Sequence, residues 1–347
     1  MTTSNSVDSD VAMTVDQLRD TVVRILVSEG ATFGDASQQA DLLVEGDLRG
    51  HHSHGVARLA VLVGRMRNGL IRSGVTPQTT WVSEVFLRVD GRRGFGPVVA
   101  ATAIEAITSR AAQTGMAIAA VHNANHIGML APYVERIAHT GQIGIALTTS
   151  EALVHPWGSA QPMIGTNPIG IAVPTQDHPL VLDMSTAAVS MGKVLDHAAK
   201  SEPIPLGWAV DRHGVPSTDP ADAADGALSP FGGPKGYALG IALEVLVGTV
   251  TGTAFGADKQ GTLDTTHVAT KGDVFIAISL DRIGRLPHLA LVNTYLDEVR
   301  ASGSGDRAVT IPGDRARATR EYRLRHGIPL NPRVWREIED LLKGATA

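Results

Sequence analysis

Gly50-His51-His52-Ser53-His54-Gly55-Val56-Ala57-Arg58 brings three imidazoles, a hydroxyl and a guanidinium together within nine residues. Ser53 can cap a helix, because its oxygen can accept a free N–H of the first turn. Val56, Leu59, Val63 and Met66 then recur at helical spacing, so a helix is predicted from Ser53 to about Asn68-Gly69. On that helix His54 and Arg58 stand four apart and project from one face. The pair suits reduction of a small 2-oxo acid: a guanidinium grips a carboxylate with two prongs, and an imidazole protonates the developing alkoxide. The helix N-terminus would disfavour imidazolium and make His54 a readier donor. The plain alternative is a helix start with solvated histidines.

Upstream, Met1–Met13 reads as a frayed tail. Thr14 with Gln17 three residues on makes a capping-box pattern, Leu18, Val22, Ile25 and Leu26 form a buried stripe, and Gly30 stops the helix. Asp35 with Gln38 repeats the start signal, ahead of Ala36, Ala40, Leu43 and Val44. The first ~70 residues therefore predict three helices.

Downstream, Val82–Asp90 alternates like a strand, and Gly91–Gly96 is a turn region. Its glycines lack the G-x-G-x-x-G spacing after a strand, here and elsewhere, so a standard Rossmann fold is not expected. Val98–Thr114 predicts a closely packed helix, and Met116–Val121 a strand running into the polar loop His122–Gly128. A helix over Leu130–Thr140 and a strand over Ile143–Leu147 follow, which implies a parallel or mixed sheet. Ile171–Pro174 and Leu180–Asp183 read as short strands. The second ends in Asp183-Met184-Ser185-Thr186, which is either binding-site material at a strand end or the cap of the next helix. Ile204–Ala224 is loop-rich. Phe231-Gly232-Gly233-Pro234-Lys235-Gly236 opens an apolar helix over Tyr237–Val250. Glycines and a lysine at a helix start suit an anion, though the spacing is not that of a P-loop, and a solvated Lys235 is the alternative. A polar loop over Gly252–Gly272, a strand over Val274–Leu280, a helix over Leu286–Ala301 and a turn at Ile311–Asp314 come next. The arginines from Arg315 to Arg325 read as a solvated or interface-facing helix, and Val334–Leu342 as a last helix.

The chain has 347 residues, which points to about two domains. Hydrophobic residues are 43% and charged residues 19%, as in a globular protein. A net charge of −5 argues against a general nucleic-acid binder. Without cysteine there is no disulfide, thiolate catalyst or Cys-ligated zinc. The N-terminal residues lack the apolar centre of a signal peptide, and no run approaches the ~20 apolar residues of a membrane span. A cytoplasmic location and no membrane partner are the expectations.

With these residues in hand, the chain resembles the second type of malate/L-lactate dehydrogenase, a family that also includes ureidoglycolate dehydrogenases, diketogulonate reductases, sulfolactate dehydrogenases and cyclic-imine reductases. The matching motifs, in family order, are S-H-G-x-x-R at Ser53–Arg58, N-H-I-G at Asn125–Gly128, G-T-N-P-I at Gly165–Ile169, L-D-M-S at Leu182–Ser185, G-K-V at Gly192–Val194, G-G-P-K-G-Y at Gly232–Tyr237 and I-P-G-D at Ile311–Asp314. Thr149 departs from the Asn common before Ser150, and Ser159 from a second Gly common after Gly158.

The resemblance implies an α/β fold. A helical substrate and dimerisation domain would form from residues 1–85 with 286–347, and a cofactor domain with an unusual mixed sheet from 86–285. It implies His54 as proton donor, His126 as the second catalytic histidine and Ser53 beside them. Arg58, Thr166 and Asn167 would meet substrate. Ser150, Asp183, Met184, Ser185, Lys235, Pro312, Gly313 and Asp314 would meet NAD or NADP. The expected activity is hydride transfer between nicotinamide and a small 2-oxo acid, its 2-hydroxy acid or a related cyclic imine, in a homodimer and without a metal. The competing reading is a metal-dependent hydrolase, with His52, His54 and His126 as ligands and Asp183 as base. A binding protein that keeps the pocket without turnover is a third.

Overall fold

In the computed structural model, which describes residues 11–304 and 308–345, the described chain begins with a short strand, β1 (Val11–Met13), and two helices, α1 (Val15–Ser28) and α2 (Phe33–Leu48). The Thr14 hydroxyl accepts the Gln17 N–H and the Gln17 side chain accepts the Thr14 N–H, both at 3.2 Å, which closes the capping box. The second helix starts three residues before the Asp35 signal, because Thr32 caps it. Asp35 turns outward instead and accepts from the Ser73 hydroxyl at 2.6 Å and the Gly74 N–H at 2.7 Å. Of the tail read over Met1–Met13, residues 1–10 lie outside the described residues, and Val11–Met13 is a strand paired with Ile328–Leu330.

Ser53 caps no helix. His52–His54 and Val56–Arg58 are two separate 3-10 turns, and α3 spans only Leu59–Arg67. Next come β2 (Gln78–Trp81), β3 (Phe86–Asp90), α4 (Gly96–Thr114), β4 (Met116–His122), α5 (Ala131–Ala138), β5 (Gln142–Thr148), β6 (Ile169–Val173) and β7 (Leu180–Met184). The predicted strand over Val82–Asp90 is thus shorter, its first residues forming the turn between β2 and β3. The helix α6 (Met191–Lys200) is capped by Ser190, so Ser185 and Thr186 are free of that task. The loop-rich stretch after it holds β8 (Ala209–Val210), β9 (Pro216–Ser217) and α7 (Pro220–Asp225), and with β10 (Ala227–Leu228) makes a three-stranded sheet. The chain continues through α8 (Pro234–Thr251), β11 (Asp273–Ser279), α9 (Leu289–Ala301), α10 (Asp314–His326), β12 (Ile328–Leu330) and α11 (Pro332–Ala345).

The main sheet has seven strands in the order β2-β3-β4-β11-β5-β6-β7, and only β3 and β4 run parallel. This is the mixed sheet, distinct from a Rossmann sheet, that the resemblance implies. Period-two alternation sorts its faces. Phe275 and Ala277 of β11 join α4 and α5 on one side, while Val274 and Ile276 meet Leu243 and Val247 of α8 on the other. A second core unites both chain ends: Leu18, Ile25 and Leu59 pack with Ile328, Leu330 and Ile338. The α9 helix is tethered to the β6–β7 turn, where Asn293 accepts the Gln176 N–H at 2.8 Å. The two cores exchange side chains along a seam: Leu42 of α2 belongs to the sheet's core and Phe95, just before α4, to the helical one.

Candidate active site

On this seam the His51–Arg58 loop is pressed onto the last turn of α2. The buried Asp47 carboxylate accepts the Val56 N–H at 2.7 Å and pairs with His52 Nδ1 at 2.8 Å. A Cβ at Gly55 would meet Asp47 Oδ1 at 2.2 Å, so glycine is what lets the loop lie over that carboxylate. From α10, Arg323 donates to the Asp47 carbonyl and stands 3.3 Å from His52 Nε2. Both ring nitrogens of His52 are therefore spent on holding the loop.

Those two come together. The rings of His54 and His126 stack at 5.6 Å between centroids and 8° between planes. His126 leaves the end of β4, and a Cβ at Gly96 would meet its carbonyl oxygen at 2.1 Å, so a bare α-carbon lets α4 start this close to the loop. Burial, with the Arg58 charge behind it, lowers His54 to about 4 and holds His126 well below the usual histidine range. The anticipated cause, a helix N-terminus, is absent, since His54 ends a 3-10 turn. Both rings are neutral at pH 7. The Gly128 N–H donates to His126 Nδ1 at 3.1 Å, so neutral His126 carries its proton on Nε2. His54 Nδ1 is buried and has no hydrogen-bond partner among the described residues.

Arg58 lines the same pocket, with Gln39, Leu42, Leu43, Val61, Leu62, and the polar Arg65, Asn125 and Thr262. Burial lowers its pKa and the Glu151 carboxylate opposes that. Arg58 Nη2 donates to the Thr262 carbonyl at 2.6 Å. That is the one bond it makes among the described residues, which leaves most of its five donors for a ligand. Glu151 sets the geometry from behind: its carboxylate accepts the N–H groups of Thr262 and Leu263 at 2.7 and 3.1 Å. Arg65 is the opposite case. It is 3% exposed and gives Nε and Nη2 to Asn125 Oδ1 at 3.2 and 3.0 Å, and Nη1 to the carbonyls of Asp264 and His267 at 2.7 and 3.1 Å. Asn125 passes the connection on, donating to the carbonyls of Arg93 and Gly94.

A continuous path of hydrogen bonds leads from Arg58 toward the other candidates. Beyond Thr262 and Glu151, the Ser150 hydroxyl reaches the Glu151 carbonyl at 3.2 Å and accepts the Thr166 N–H at 2.9 Å. Thr186 then donates its N–H and hydroxyl to the Thr166 carbonyl at 2.8 and 2.9 Å, with Met184 and Ser185 just before it. Asn167 is fully buried, and its amide donates to the Gly240 carbonyl and, at 2.6 Å, to Glu244. Asp183 Oδ2 accepts the N–H groups of Leu130 and Ala131 at the start of α5. Burial pushes its carboxyl up against those bonds. Ser53 lies against α6, where a Cβ at Gly192 would come within 2.9 Å of the Ser53 Cβ. Lys235 is exposed in the first turn of α8. Pro312 and Gly313 dock on β7, the Pro312 carbonyl accepting the Val181 N–H at 3.2 Å. Despite partial burial, hydrogen bonds from Arg300, the Ile311 N–H and Arg317 hold Asp314 at about 2.

Gln39, Arg65, Asn125, Glu151 and Thr262 escaped the sequence reading as site residues. Arg65 carried a faint signal, an arginine seven residues after Arg58 amid apolar neighbours; Glu151 and Thr262 meet Arg58 only through the fold. The hydrolase alternative finds no support: His52 is paired with Asp47, and among the described residues no group of three His, Cys, Asp or Glu side chains is arranged to hold a metal.

Residues 13–339 match the model of a family described as malate/L-lactate dehydrogenase. The malate/(S)-sulfolactate dehydrogenase of Methanothermus fervidus is 34% identical over 94% of this chain and 96% of its own. The Δ1-pyrroline-2-carboxylate/Δ1-piperideine-2-carboxylate reductase of Pseudomonas aeruginosa is 31% identical over 96% and 100%. Among solved structures, a dehydrogenase from Sinorhizobium meliloti superimposes with a TM-score of 0.92 at 44% identity, covering 96% of this chain and 98% of that one.

The Arg65–Asn125 contact makes a direct prediction. Asn125→Ala removes the acceptor of two N–H groups on a buried guanidinium and the donor to two carbonyls. Urea unfolding should show a loss of about 2–4 kcal/mol. A loss below about 1 kcal/mol would mean that water replaces the amide and the clamp is dispensable.

Proposed function

The chain belongs to the malate/L-lactate dehydrogenase family, and from that premise we propose a nicotinamide-dependent oxidoreductase that interconverts a small 2-oxo acid and its 2-hydroxy acid, or reduces the corresponding cyclic imine. The observation that carries this reading is the stacked pair of neutral imidazoles beside a buried guanidinium with donors to spare. Arg58 takes the substrate carboxylate and fixes the orientation of C2. His126 offers its Nε2–H to the substrate oxygen. His54 moves the proton: in the oxidising direction its neutral ring accepts the hydroxyl proton, and in the reducing direction it returns it. A carboxylate on Arg58 cancels part of the charge that depresses His54, so His54 gains proton affinity when substrate binds. Bound nicotinamide supplies or accepts the hydride at C2.

Residues suited to that cofactor surround the polar path from Ser150 to Thr186. Ser150, Thr166 and Ser185 are hydroxyl donors, and Thr186 approaches Gly240 of α8, where a Cβ would meet its hydroxyl at 3.1 Å. The N-terminus of this 18-residue helix, with exposed Lys235, suits an anionic phosphate. Met184 ends β7, and the Pro312–Asp314 turn docks on that strand at Val181. Asp183 and Asn167 enter the reading as supports, one fixing α5 and the other Ser150, whose N–H lies 3.4 Å from Asn167 Oδ1.

A homodimer is part of the proposal. Of the surfaces considered from sequence, α4 is largely core, and α10 spends Arg320 on Glu45 and Arg323 on the Asp47 carbonyl. An apolar face is open on α8, where Ile241, Val245, Leu246 and Val250 are 37–51% exposed. Light scattering at micromolar concentration should give twice the 36.4 kDa subunit mass; a single subunit mass would refute it.

His54→Ala should lower kcat by about two to four orders of magnitude with cofactor binding kept. Oxidation needs neutral His54, so kcat/KM should stay level from neutral pH downward and fall as pH drops through about 4. Arg58→Gln removes a positive neighbour, so the break should move upward. A wild-type break at the ordinary histidine value, about 6.5, would contradict the assignment. Lys235→Ala should weaken cofactor binding more than substrate binding, read by titrating nicotinamide fluorescence without substrate; equal binding would leave Lys235 a solvated lysine.

A further inference from the structure

Six buried side-chain polar atoms among the described residues have no hydrogen-bond partner. Three of them, Gln39 Oε1, His54 Nδ1 and Thr262 Oγ1, line the one pocket that holds Arg58. Buried polar groups are otherwise paired almost without exception, so such a concentration marks where a polar ligand supplies the partners. His54 belongs to the chemistry already described, and Thr262 adjoins it through its carbonyl bond to Arg58. Gln39 does not. It sits on α2, one turn before Leu42 and Leu43, is 2% exposed, and its amide makes no hydrogen bond among the described residues.

The pocket wall near it selects what that amide can meet. Leu42, Leu43, Val61 and Leu62 carry no charge. Of the two cations, Arg58 is the carboxylate partner, and Arg65 has given its nitrogens to Asn125 and to the carbonyls of Asp264 and His267. A second carboxylate or a sulfonate on the substrate would be desolvated against leucine and valine with no uncommitted cation to receive it. A plain alkyl side chain would suit the leucines but strand the Gln39 amide. An uncharged side chain that carries a hydroxyl or amide satisfies both.

We propose that Gln39 is a specificity-determining residue that hydrogen-bonds the substrate's side chain, and that the preferred substrate is a 2-oxo acid whose side chain is neutral and bears a hydroxyl or amide group. The inference rests on the 2-oxo acid reading above and narrows it.

The test compares kcat/KM for three probes with the full-length enzyme and both nicotinamides: 4-hydroxy-2-oxobutanoate, its alkyl counterpart 2-oxobutanoate, and the dianion oxaloacetate. Wild type should favour the hydroxylated acid over the alkyl one by about tenfold or more, and over oxaloacetate, because a site built around a buried hydrogen-bonding group rejects analogues lacking its partner. In Gln39→Leu the ratio of hydroxylated to alkyl substrate should fall to about one, mainly through KM. Gln39→Met, closer in length, serves as the second variant, and a thermal melt of each confirms folding. A ratio that survives both substitutions, or a wild type that prefers oxaloacetate, overturns the proposal while leaving the oxidoreductase reading intact. Failure to reduce any of the three with either nicotinamide overturns the 2-oxo acid reading, and this inference with it.

Discussion

A buried guanidinium that hydrogen-bonds to no carboxylate holds this pocket together. Arg65 is closed off from water, and its charge is met by an amide oxygen and two backbone carbonyls. Each partner sits on a different segment: Asn125 on the loop after β4, the carbonyls on the loop before β11, and Arg65 itself on α3. Leaving a buried charge unmet is far costlier than the bonds are worth in water, so the three segments must converge before the charge can be buried. Their convergence is what sets His126 opposite His54 and gives the Thr262 carbonyl to Arg58. The candidate site is positioned by a residue whose nitrogens are all committed elsewhere.

What could be read from the sequence was whatever is local. Thr14 and Gln17 announce a capping box because its two hydrogen bonds lie within four residues, and the strands from β4 to β7 declare themselves through short apolar runs. The motif Ser53–Arg58 pointed to His54 and Arg58, and the fold does put both in one pocket. The reason given for their proximity was wrong: the loop is two 3-10 turns rather than one helix, and Asp47, seven residues before His54, shapes it. No local pattern foretells that. Glu151 was illegible for the same reason, since it matters through Thr262 and Leu263 far along the chain, and Gln39 because only the fold shows that its buried amide oxygen is left unpaired. The insertion of β11 between β4 and β5 likewise follows from closing a sheet, which no periodicity records.

The electrostatics of the pocket follow from its burial. Two imidazoles 5.6 Å apart beside a guanidinium could hold three positive charges, and the protein holds one. Desolvation and the fixed charge on Arg58 keep both rings neutral. In the proposed function, an anion held by Arg58 offsets part of the charge that lowers His54, while burial remains the larger cause.

The pairing of β1 with β12 carries a consequence for biosynthesis. The register joins Val11 to Leu330 and Met13 to Ile328, and α11 then packs on α1. A chain emerging from the ribosome N-terminus first must make its opening helices some 300 residues before the strand and helix that cover them, by the spacing of those paired residues. During that interval Leu18, Ile25 and Leu59 lack the apolar cover that Ile328, Leu330 and Ile338 later provide. Closing so long a loop makes the helical core a late event. Because Arg323, which clasps the His52 loop, lies in this same late segment, the nascent chain cannot fix that loop until the residues around 323 have been made.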